Sequence, residues 1–588
     1  ESQTRQRGPN NQTRPRSVPH ASRTTRFSID AMLRRSATTT TRLWPTGLTR
    51  HARRNPLSTL GATPSLEDAP NDRRRPSAFE VALVSGGDDR SALSADLFRN
   101  KYNVSPWPLS ASALFRGSCT CNPPTQRGYE AAERLFGELT SGSKTYAETT
   151  EAIRDRLAAA FELPEGTEVV LCPSGSDAEY IPVAIAAALG AQRIGTVVSQ
   201  HREIGAGSAP AAGLEYFSTS TPLGGNGSAV TVGALVGGTT QQVERISLPA
   251  RDADGGALSE DAATQMRQDW LDAFFFEGGS EKSSSSSSSS MAIVHTVFGG
   301  KTGLQDAAPP KTSATTLGVV DACQGRFTNS ELRAWLEDAE NLVLITGSKF
   351  YRGPPFSGAV LVPKRIAEAL KRQNGAPALV GHLSEFLCPD DLPEALASWR
   401  AALPPSNSNL GLALRWEAAL AEIEHAAPYS SATADAWAAT VVEAARPFAS
   451  TLQVFETHRC IVSLKLRASE TAPFFSPSDL RKIYEWMTLD VSAAFDAYEL
   501  ISSSDDDDDV RQAASTLCSI GQPVEVATDV GVLRLALGAD SFDDVAKRPE
   551  VAGREDRLLL TKLDLLAANF ERLQDAAAQG GVLVPPAE

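Results

Sequence analysis

Cysteine is scarce in this chain of 588 residues, which has seven cysteines scattered along its length. An odd and widely spaced set does not form the framework of a disulfide-stapled secreted domain, and it suits a reducing compartment. The close pair Cys119 and Cys121 has neither a second pair nor a neighbouring histidine. The sequence therefore predicts no zinc site and no other metal site.

Long apolar runs are also absent. No stretch of about 18 apolar residues occurs, so no membrane-spanning helix is predicted. The first 75 residues contain 15 arginines, no lysine and five acidic residues, whereas the whole chain carries a net charge of −15. The remainder therefore carries −25. An acidic body of this size repels nucleic acid and anionic membrane, so neither is predicted as a partner.

The first 75 residues are rich in arginine, serine, threonine and proline and show no sustained apolar periodicity. Such a segment cannot bury enough surface to offset its ordering entropy, so it is predicted to be disordered. From Met32 onward it has the composition of an organelle transit peptide. This predicts a translation start at Met32 and an organellar protein, mitochondrial in preference to plastid. A basic arm with a binding role is the alternative.

Apolar runs of strand length alternate with helical stretches in the middle of the chain. They predict strands at 167–173, 193–199, 291–298, 315–323, 341–347 and 358–363. Such β-branched runs are typical of strands buried on both faces, and the helices between them favour parallel pairing. The sequence therefore predicts an α/β fold with three layers around a mainly parallel sheet, accompanied by a smaller α+β domain.

One N-terminal segment and two domains are predicted after the disordered segment. Residues 76–144 contain a long helix, GYEAAERLFGEL, and are predicted to pack with the small domain. Residues 145–375 form the large α/β domain and residues 376–588 the small C-terminal domain. The serine run 283–290 and the aspartate run 505–509 are predicted to be solvated loop insertions, since neither buries apolar surface.

Small and polar residues follow several predicted strands, where parallel α/β sheets bind their ligands. The sequence Ser-Gly-Ser-Asp at 174–177 opens a helix, so its backbone amides could cradle a phosphate, although the same residues make an ordinary N-cap. Asp321 and Gln324 follow a later strand, and Lys349 follows the next. Packing rarely explains a lysine in such a place, because a buried lysine needs a partner or a lowered pKa.

This combination resembles the fold-type I pyridoxal-phosphate-dependent enzymes, in particular the class V aminotransferase and cysteine desulfurase group. The resemblance rests on VVDACQ (319–324) and ITGSKFYRGPPFSGAVLVP (345–363), and it covers residues 140–375 well and the flanks loosely. It implies a fold-type I large domain, pyridoxal 5'-phosphate as cofactor and an amino acid as substrate. It also implies a homodimer whose active site is completed at the subunit interface.

The resemblance also implies residue roles around the cofactor ring. Lys349 would form a Schiff base with the cofactor aldehyde and later move the substrate α-proton. Asp321 would pair with the protonated pyridine nitrogen, and Gln324 would hydrogen-bond the ring hydroxyl. His201 is the candidate to stack on the ring; an exposed loop histidine is the alternative, and Glu203 competes for the position.

Further roles concern the two anionic groups. Gly175, Ser176 and Asp177 would hold the phosphate, helped by the hydroxyls of Thr346 and Ser348. Arg534 resembles the small-domain arginine that binds the substrate carboxylate in this group. Its planar guanidinium suits a bidentate pair with a carboxylate. An arginine on a half-exposed strand edge is the alternative for Arg534.

The chain also departs from the group's pattern. Ser348 stands where the group usually has histidine, and Arg352 is an additional residue before Gly-Pro. The sequence therefore resembles an outlying branch, to which no particular substrate can be transferred.

Three functions stay open. The first is an aminotransferase-type transferase, which needs only the lysine, the cofactor and a carboxylate clamp. The second is a cysteine desulfurase or selenocysteine lyase, with Cys518 as the nucleophilic thiolate, although a buried structural cysteine also accounts for Cys518. The third is a catalytically inactive binding scaffold, and the presence of Lys349 together with Asp321 weighs against it.

Overall fold

The computed structural model describes residues 75–578 except 121, 225–228, 239–241, 280–288, 374–376, 406 and 498–506. The predicted disordered segment up to residue 74, with Met32 and the transit peptide, lies outside the described residues. So do residues 283–288 of the serine run and residues 505–506 of the aspartate run.

Twelve strands form in the described part of the chain. They are β1 (Leu114–Arg116), β2 (Glu168–Cys172), β3 (Arg193–His201), β4 (Gln242–Pro249), β5 (Ser290–Val297), β6 (Thr316–Asp321), β7 (Leu342–Thr346), β8 (Gly358–Val362), β9 (Leu452–His458), β10 (Ile461–Leu466), β11 (Cys518–Ala527) and β12 (Val530–Ala536). Strands β2 to β8 make a seven-stranded sheet in the order β2-β8-β7-β6-β5-β3-β4. Strand β8 is antiparallel to β2 and β7, and the other pairs are parallel.

Eighteen α-helices form in the described part of the chain. They are α1 (Ala78–Leu83), α2 (Gln126–Ser141), α3 (Tyr146–Ala160), α4 (Tyr180–Ala188), α5 (Ser208–Ala212), α6 (Glu260–Gly279), α7 (Asn329–Arg333), α8 (Lys364–Lys371), α9 (Ala378–His382), α10 (Ala397–Arg400), α11 (Leu410–Ile423), α12 (Ser431–Ala445), α13 (Pro477–Met487), α14 (Ser492–Ala497), α15 (Asp507–Ser515), α16 (Ala539–Lys547), α17 (Pro549–Ala568) and α18 (Phe570–Ala578). None of the described helices combines the length and apolar character needed to cross a membrane.

The seven-stranded sheet is covered on both faces, because successive side chains of a strand point to opposite sides. In β2, Val169 and Leu171 belong to one buried core, and Val170 and Cys172 belong to another. Helices α3 and α11 contribute to the first core, and α4 and α8 contribute to the second. The predicted α/β class, with three layers around a mainly parallel sheet, is confirmed.

The structure differs from the sequence prediction at several elements. Strand β1 was not predicted, and Ser290 of the serine run begins β5 rather than lying in a loop. Strand β4 was not predicted; it pairs with β3 alone at the sheet edge, and its polar sequence QVERISLP lacks the continuous apolar run of the buried strands. The aspartate run is not a loop throughout, because α15 begins at Asp507. Acidic residues are favoured in the first turn of a helix, where backbone N–H groups point outward.

The second sheet has five strands in the order β1-β11-β12-β10-β9, with β1 parallel to β11 and the other pairs antiparallel. This is the smaller α+β part that the sequence predicts. Strand β1 comes from the segment before the large sheet, and the same segment supplies α1 and α2, which pack on α11 through Phe79, Ala132 and Leu414. The described residues form one compact unit, and the domain limits at 75, 144 and 375 stay a prediction.

Candidate active site

The carboxyl ends of the parallel strands meet at one edge of the large sheet, where ligands of such sheets bind. A cavity of about 380 Å³ lies at this edge. It is lined by eight of the residues selected from the sequence, namely Gly175, Ser176, Asp321, Gln324, Thr346, Ser348, Lys349 and Arg534. The structure therefore brings together residues that lie up to 359 positions apart in the chain.

Lys349 stands three residues after the end of β7, in a loop whose backbone is held from the N-terminal segment. The Asn122 side-chain amide donates to the carbonyls of Lys349 and Ser348 at 2.8 and 3.1 Å, and the Ser118 hydroxyl donates to the Lys349 carbonyl at 3.1 Å. These bonds fix the loop, and the partly buried lysine side chain lines the cavity. The Lys349 amine is thus attached to a backbone segment that hydrogen bonds hold in place.

Asp321 is the last residue of β6, directly beside Val297 at the end of β5. Its Oδ1 accepts a hydrogen bond from the Cys323 amide at 3.0 Å, which orients the carboxylate. Gln324 is fixed on both sides, since its Nε2 donates to the Gly300 carbonyl at 3.0 Å and its Oε1 accepts from Arg326 at 2.8 Å. Both side chains therefore reach the cavity in defined orientations.

The Ser-Gly-Ser-Asp segment follows β2 and is packed against the neighbouring strand ends. A Cβ at position 175 would lie 2.9 Å from Cys323 Sγ and 2.9 Å from a methyl carbon of Thr346, so glycine is required by close approach. The Ser174 hydroxyl donates to Asp177 at 2.5 Å. The Thr346 hydroxyl donates to the Cys323 carbonyl at 2.7 Å, so its proton is committed within the protein.

Asp177 does not line the cavity, although the sequence places it in the phosphate cradle. Its side chain is buried, and its Oδ1 has no hydrogen-bond partner. Burial, followed by repulsion from Asp88, raises the pKa of Asp177 from its ordinary value of 3.8 to about 7. The carboxyl group therefore takes up a proton near neutral pH.

We expect this carboxyl group to make the stability of the cofactor-free protein depend on pH. Because the folded-state pKa lies above the unfolded one, its contribution is full below about pH 4 and is lost as the pH rises through 7. Asp177→Asn removes the ionised carboxylate, so it should favour the folded state more at pH 8 than at pH 4. The change that it causes in the free energy of unfolding should be about 2–4 kcal/mol more positive at pH 8 than at pH 4, since one pKa unit corresponds to about 1.4 kcal/mol.

Urea unfolding at pH 4, 6 and 8 checks this expectation, with Asp435→Asn on the exposed side of α12 as the control. The control should keep the pH slope of the unsubstituted protein. An Asp177→Asn variant with the same slope as the control would show that the buried carboxyl group does not titrate in this range.

Arg534 lies on β12, with most of its guanidinium held by backbone carbonyls. Its Nε and Nη2 donate to the Gln522 carbonyl at 3.0 and 2.9 Å, and its Nη1 donates to the Lys301 carbonyl at 2.8 Å. An arginine has five N–H groups, so two remain for a ligand. The side chain is buried and lines the cavity, which differs from the half-exposed edge that the sequence left as the alternative.

His201 and Glu203 are the two candidates for the position beside the ligand ring. His201 ends β3, but its side chain lies outside the described residues. The Glu203 carboxylate is buried and accepts from Arg251 at 2.8 Å and from the Thr302 amide at 2.9 Å. Glu203 lines the cavity, with its charge already paired.

Three cationic residues that line the cavity, Arg90, Lys101 and Lys301, were given no role from the sequence. Lys301 donates from Nζ to the Arg202 carbonyl at 2.7 Å, and burial, followed by the nearby Arg534 charge, lowers its pKa to about 8. Arg90 reaches the cavity from the N-terminal segment, beside Ser174 and Ser176. No strand end or motif marks Arg90 in the sequence, so only the fold reveals it.

Cys518 lies away from the cavity. It is the first residue of β11, opposite Leu114 of β1, and it is 1% exposed. Burial raises the pKa of the thiol to about 11, whereas a nucleophilic cysteine needs a lowered pKa and access to its substrate. This placement corresponds to the structural cysteine that the sequence left as the alternative.

We therefore expect Cys518→Ser to retain most of the activity. The turnover with a keto-acid acceptor should change less than about threefold, and the buried hydroxyl should cost at most about 1–3 kcal/mol of stability. Product formation and sulfide release from cysteine, measured side by side, check this. Sulfide release that disappears only in Cys518→Ser would instead assign the thiol a catalytic role.

No group of three or more metal-ligating side chains occurs among the described residues. Among the described cysteines, all six are buried and free.

The chain is similar to several solved structures. No family model and no curated protein matches the chain. The cysteine desulfurase CsdA of Escherichia coli is 12% identical, with a TM-score of 0.41, over 76% of this chain and 95% of that one. A phosphoserine aminotransferase of Cytophaga hutchinsonii is 11% identical, with a TM-score of 0.39, over 75% and 99%. Oryza sativa TDC with PLP and tryptamine is 14% identical, with a TM-score of 0.42, over 86% and 93%.

Proposed function

We propose that this protein is a pyridoxal-phosphate-dependent enzyme that acts on an amino acid, with an aminotransferase-type reaction. The observation that supports it most is that Lys349 and Asp321, which the sequence pairs through VVDACQ and the motif that follows β7, line one cavity. The cavity volume of about 380 Å³ lies within the range of small-molecule sites.

The side chains around the cavity fit this cofactor chemically. Lys349 offers a primary amine for the aldehyde, and Asp321 offers a carboxylate for the pyridine nitrogen. Ser176 and the close-packed Gly175 offer a hydroxyl and backbone amides for the phosphate. When bound, the cofactor supplies an electron sink for the negative charge left at the substrate Cα.

Each residue has a defined task in this proposal. Lys349 Nζ would accept the proton from the substrate Cα and hold it for delivery to the cofactor, which is general acid–base chemistry at one atom. The Asp321 carboxylate would keep the ring nitrogen protonated, and Gln324 would orient the ring through its fixed amide. The two remaining N–H groups of Arg534 bind the substrate carboxylate.

The competing functions have less support. A desulfurase needs an accessible thiolate, and Cys518 is buried and lies outside the cavity. The two described cysteines that line the cavity, Cys119 and Cys323, are each 5% exposed. A binding scaffold would have no need of a lysine and a carboxylate on the same cavity. The homodimer stays a prediction.

Product analysis tests the proposal. The purified protein is titrated with pyridoxal phosphate and then supplied with a panel of amino acids and one keto-acid acceptor. We expect saturable cofactor binding and, for at least one amino acid, equal amounts of a new keto acid and a new amino acid. Absence of cofactor binding would contradict the proposal, and release of sulfide or carbon dioxide without a keto acid would contradict the aminotransferase reaction.

A further inference from the structure

Arg90 lies in a short turn of the N-terminal segment (Asp89–Ser91) that reaches the cavity. Its guanidinium is 13% exposed and is clamped by Asp88, with Nε–Oδ1 at 2.8 Å and Nη2–Oδ2 at 2.5 Å. The Asp88 side chain also accepts from the Arg90 amide at 2.9 Å. The arginine is therefore held in one orientation before any ligand binds.

Two further sets of contacts fix the turn from outside. The guanidinium lies 5.0 Å from the ring centre of Phe217 and 4.5 Å from that of Phe356. The Asp89 carboxylate accepts from the hydroxyls of Ser218 and Thr219 at 2.7 and 2.9 Å. The turn thus joins the N-terminal segment to the loop at 217–219, and aromatic faces hold the cation.

The end of the guanidinium that Asp88 leaves open faces the Ser-Gly-Ser-Asp segment. Nη1 lies 3.5 Å from Ser176 Oγ and Nη2 lies 3.5 Å from Ser174 Oγ. Such long contacts are weak hydrogen bonds, so they leave N–H groups for a better acceptor. Arg534, by contrast, donates three of its N–H groups to the carbonyls of Gln522 and Lys301.

We infer that Arg90 binds the phosphate group of the cofactor through the N–H groups that Asp88 leaves open, an inference that rests on the proposed function. A planar guanidinium pairs with phosphate through two parallel hydrogen bonds, which are stronger than neutral ones. One side of the phosphate site is then formed by the turn at 89–91, which belongs neither to the large sheet nor to the motif after β7.

Three acids lie near Arg90. Asp89 lines the cavity, and its carboxylate accepts hydrogen bonds from Ser218 and Thr219. Asp88 neutralises Arg90 when the site holds no anion, and it fixes the guanidinium when phosphate binds. Asp177, whose pKa is raised to about 7 by burial and then by Asp88, takes up a proton readily. As a neutral group it would no longer repel the phosphate, so binding and protonation support each other.

The inference is tested by comparing two ligands, pyridoxal phosphate and pyridoxal, which differ only in the phosphate. The measured quantity is the ratio of their dissociation constants in each variant, obtained by fluorescence titration. In Arg90→Gln we expect the dissociation constant of pyridoxal phosphate to rise about 10–100-fold while that of pyridoxal changes less than about threefold. Arg90→Lys should lie between, because it keeps the charge without the fork.

Arg156→Gln is the matched control, since Arg156 pairs with Glu417 and Glu424 and does not line the cavity. It should leave the ratio unchanged. The ratio is an internal control for folding, because a general loss of structure weakens both ligands together. An unchanged ratio in Arg90→Gln would overturn the inference, whereas failure of the unsubstituted protein to bind either ligand would overturn the proposed function instead.

Discussion

Replacing Lys349 with alanine is expected to lower turnover by at least about 10⁴-fold, the upper range for removal of one general acid–base group. The expectation follows from the constrained loop, in which Asn122 and Ser118 hold the Lys349 backbone and leave its amine at the cavity. Two other described lysines line the cavity: the Lys301 amine donates to the Arg202 carbonyl, and Lys101 is exposed. Turnover with saturating pyridoxal phosphate is the measurement.

The control for this variant is Lys547→Ala, which removes an exposed lysine on α16. It should keep the turnover of the unsubstituted protein. Circular dichroism and the unfolding temperature show whether Lys349→Ala is folded. A folded Lys349→Ala variant with near-normal turnover would exclude the role given to this lysine.

The second large effect is expected for Asp321→Asn. An asparagine keeps the size and can keep the bond from the Cys323 amide, but it carries no charge to hold the proton on the ring nitrogen. Loss of one preorganised electrostatic contact of this kind lowers kcat by about 10²–10³-fold. The KM for the amino acid should change little, because the carboxylate acts on the transition state rather than on substrate binding.

Steady-state kinetics separate these two quantities, with Asp338→Asn as an exposed control. A rise in KM at unchanged kcat in Asp321→Asn would mean that the carboxylate binds the substrate instead. Asp321→Glu adds a further comparison, since it restores the charge at a longer reach and should recover part of kcat.

The buried strands could be predicted because apolar layers cover both faces of the sheet and require apolar side chains along each strand. Strands β2, β6 and β7 are buried on both faces, so each appears as a continuous apolar run that ends in a polar or small residue. Residues after such runs must meet at one edge of a parallel sheet. This is why Asp321, Lys349 and Gly175 could be selected before any coordinates were known.

Other parts of the site depend on contacts that no local pattern encodes. Arg90 reaches the cavity only because the turn at 89–91 is held by Phe217, Phe356 and the loop at 217–219. The sequence placed Asp177 at the phosphate, but its carboxylate turns toward Ser174 and is buried. The edge strand β4 was missed because polar residues interrupt its sequence, QVERISLP, whereas β2 at the opposite edge is a continuous apolar run.

Reduction with borohydride shows whether Lys349 is the residue to which the cofactor is joined. The purified protein is incubated with pyridoxal phosphate, reduced, digested and analysed by mass spectrometry. We predict the phosphopyridoxyl group on the peptide that contains Lys349, and none in Lys349→Ala. The group on Lys301, on another lysine or on no lysine at all would exclude Lys349 as the cofactor-bearing residue.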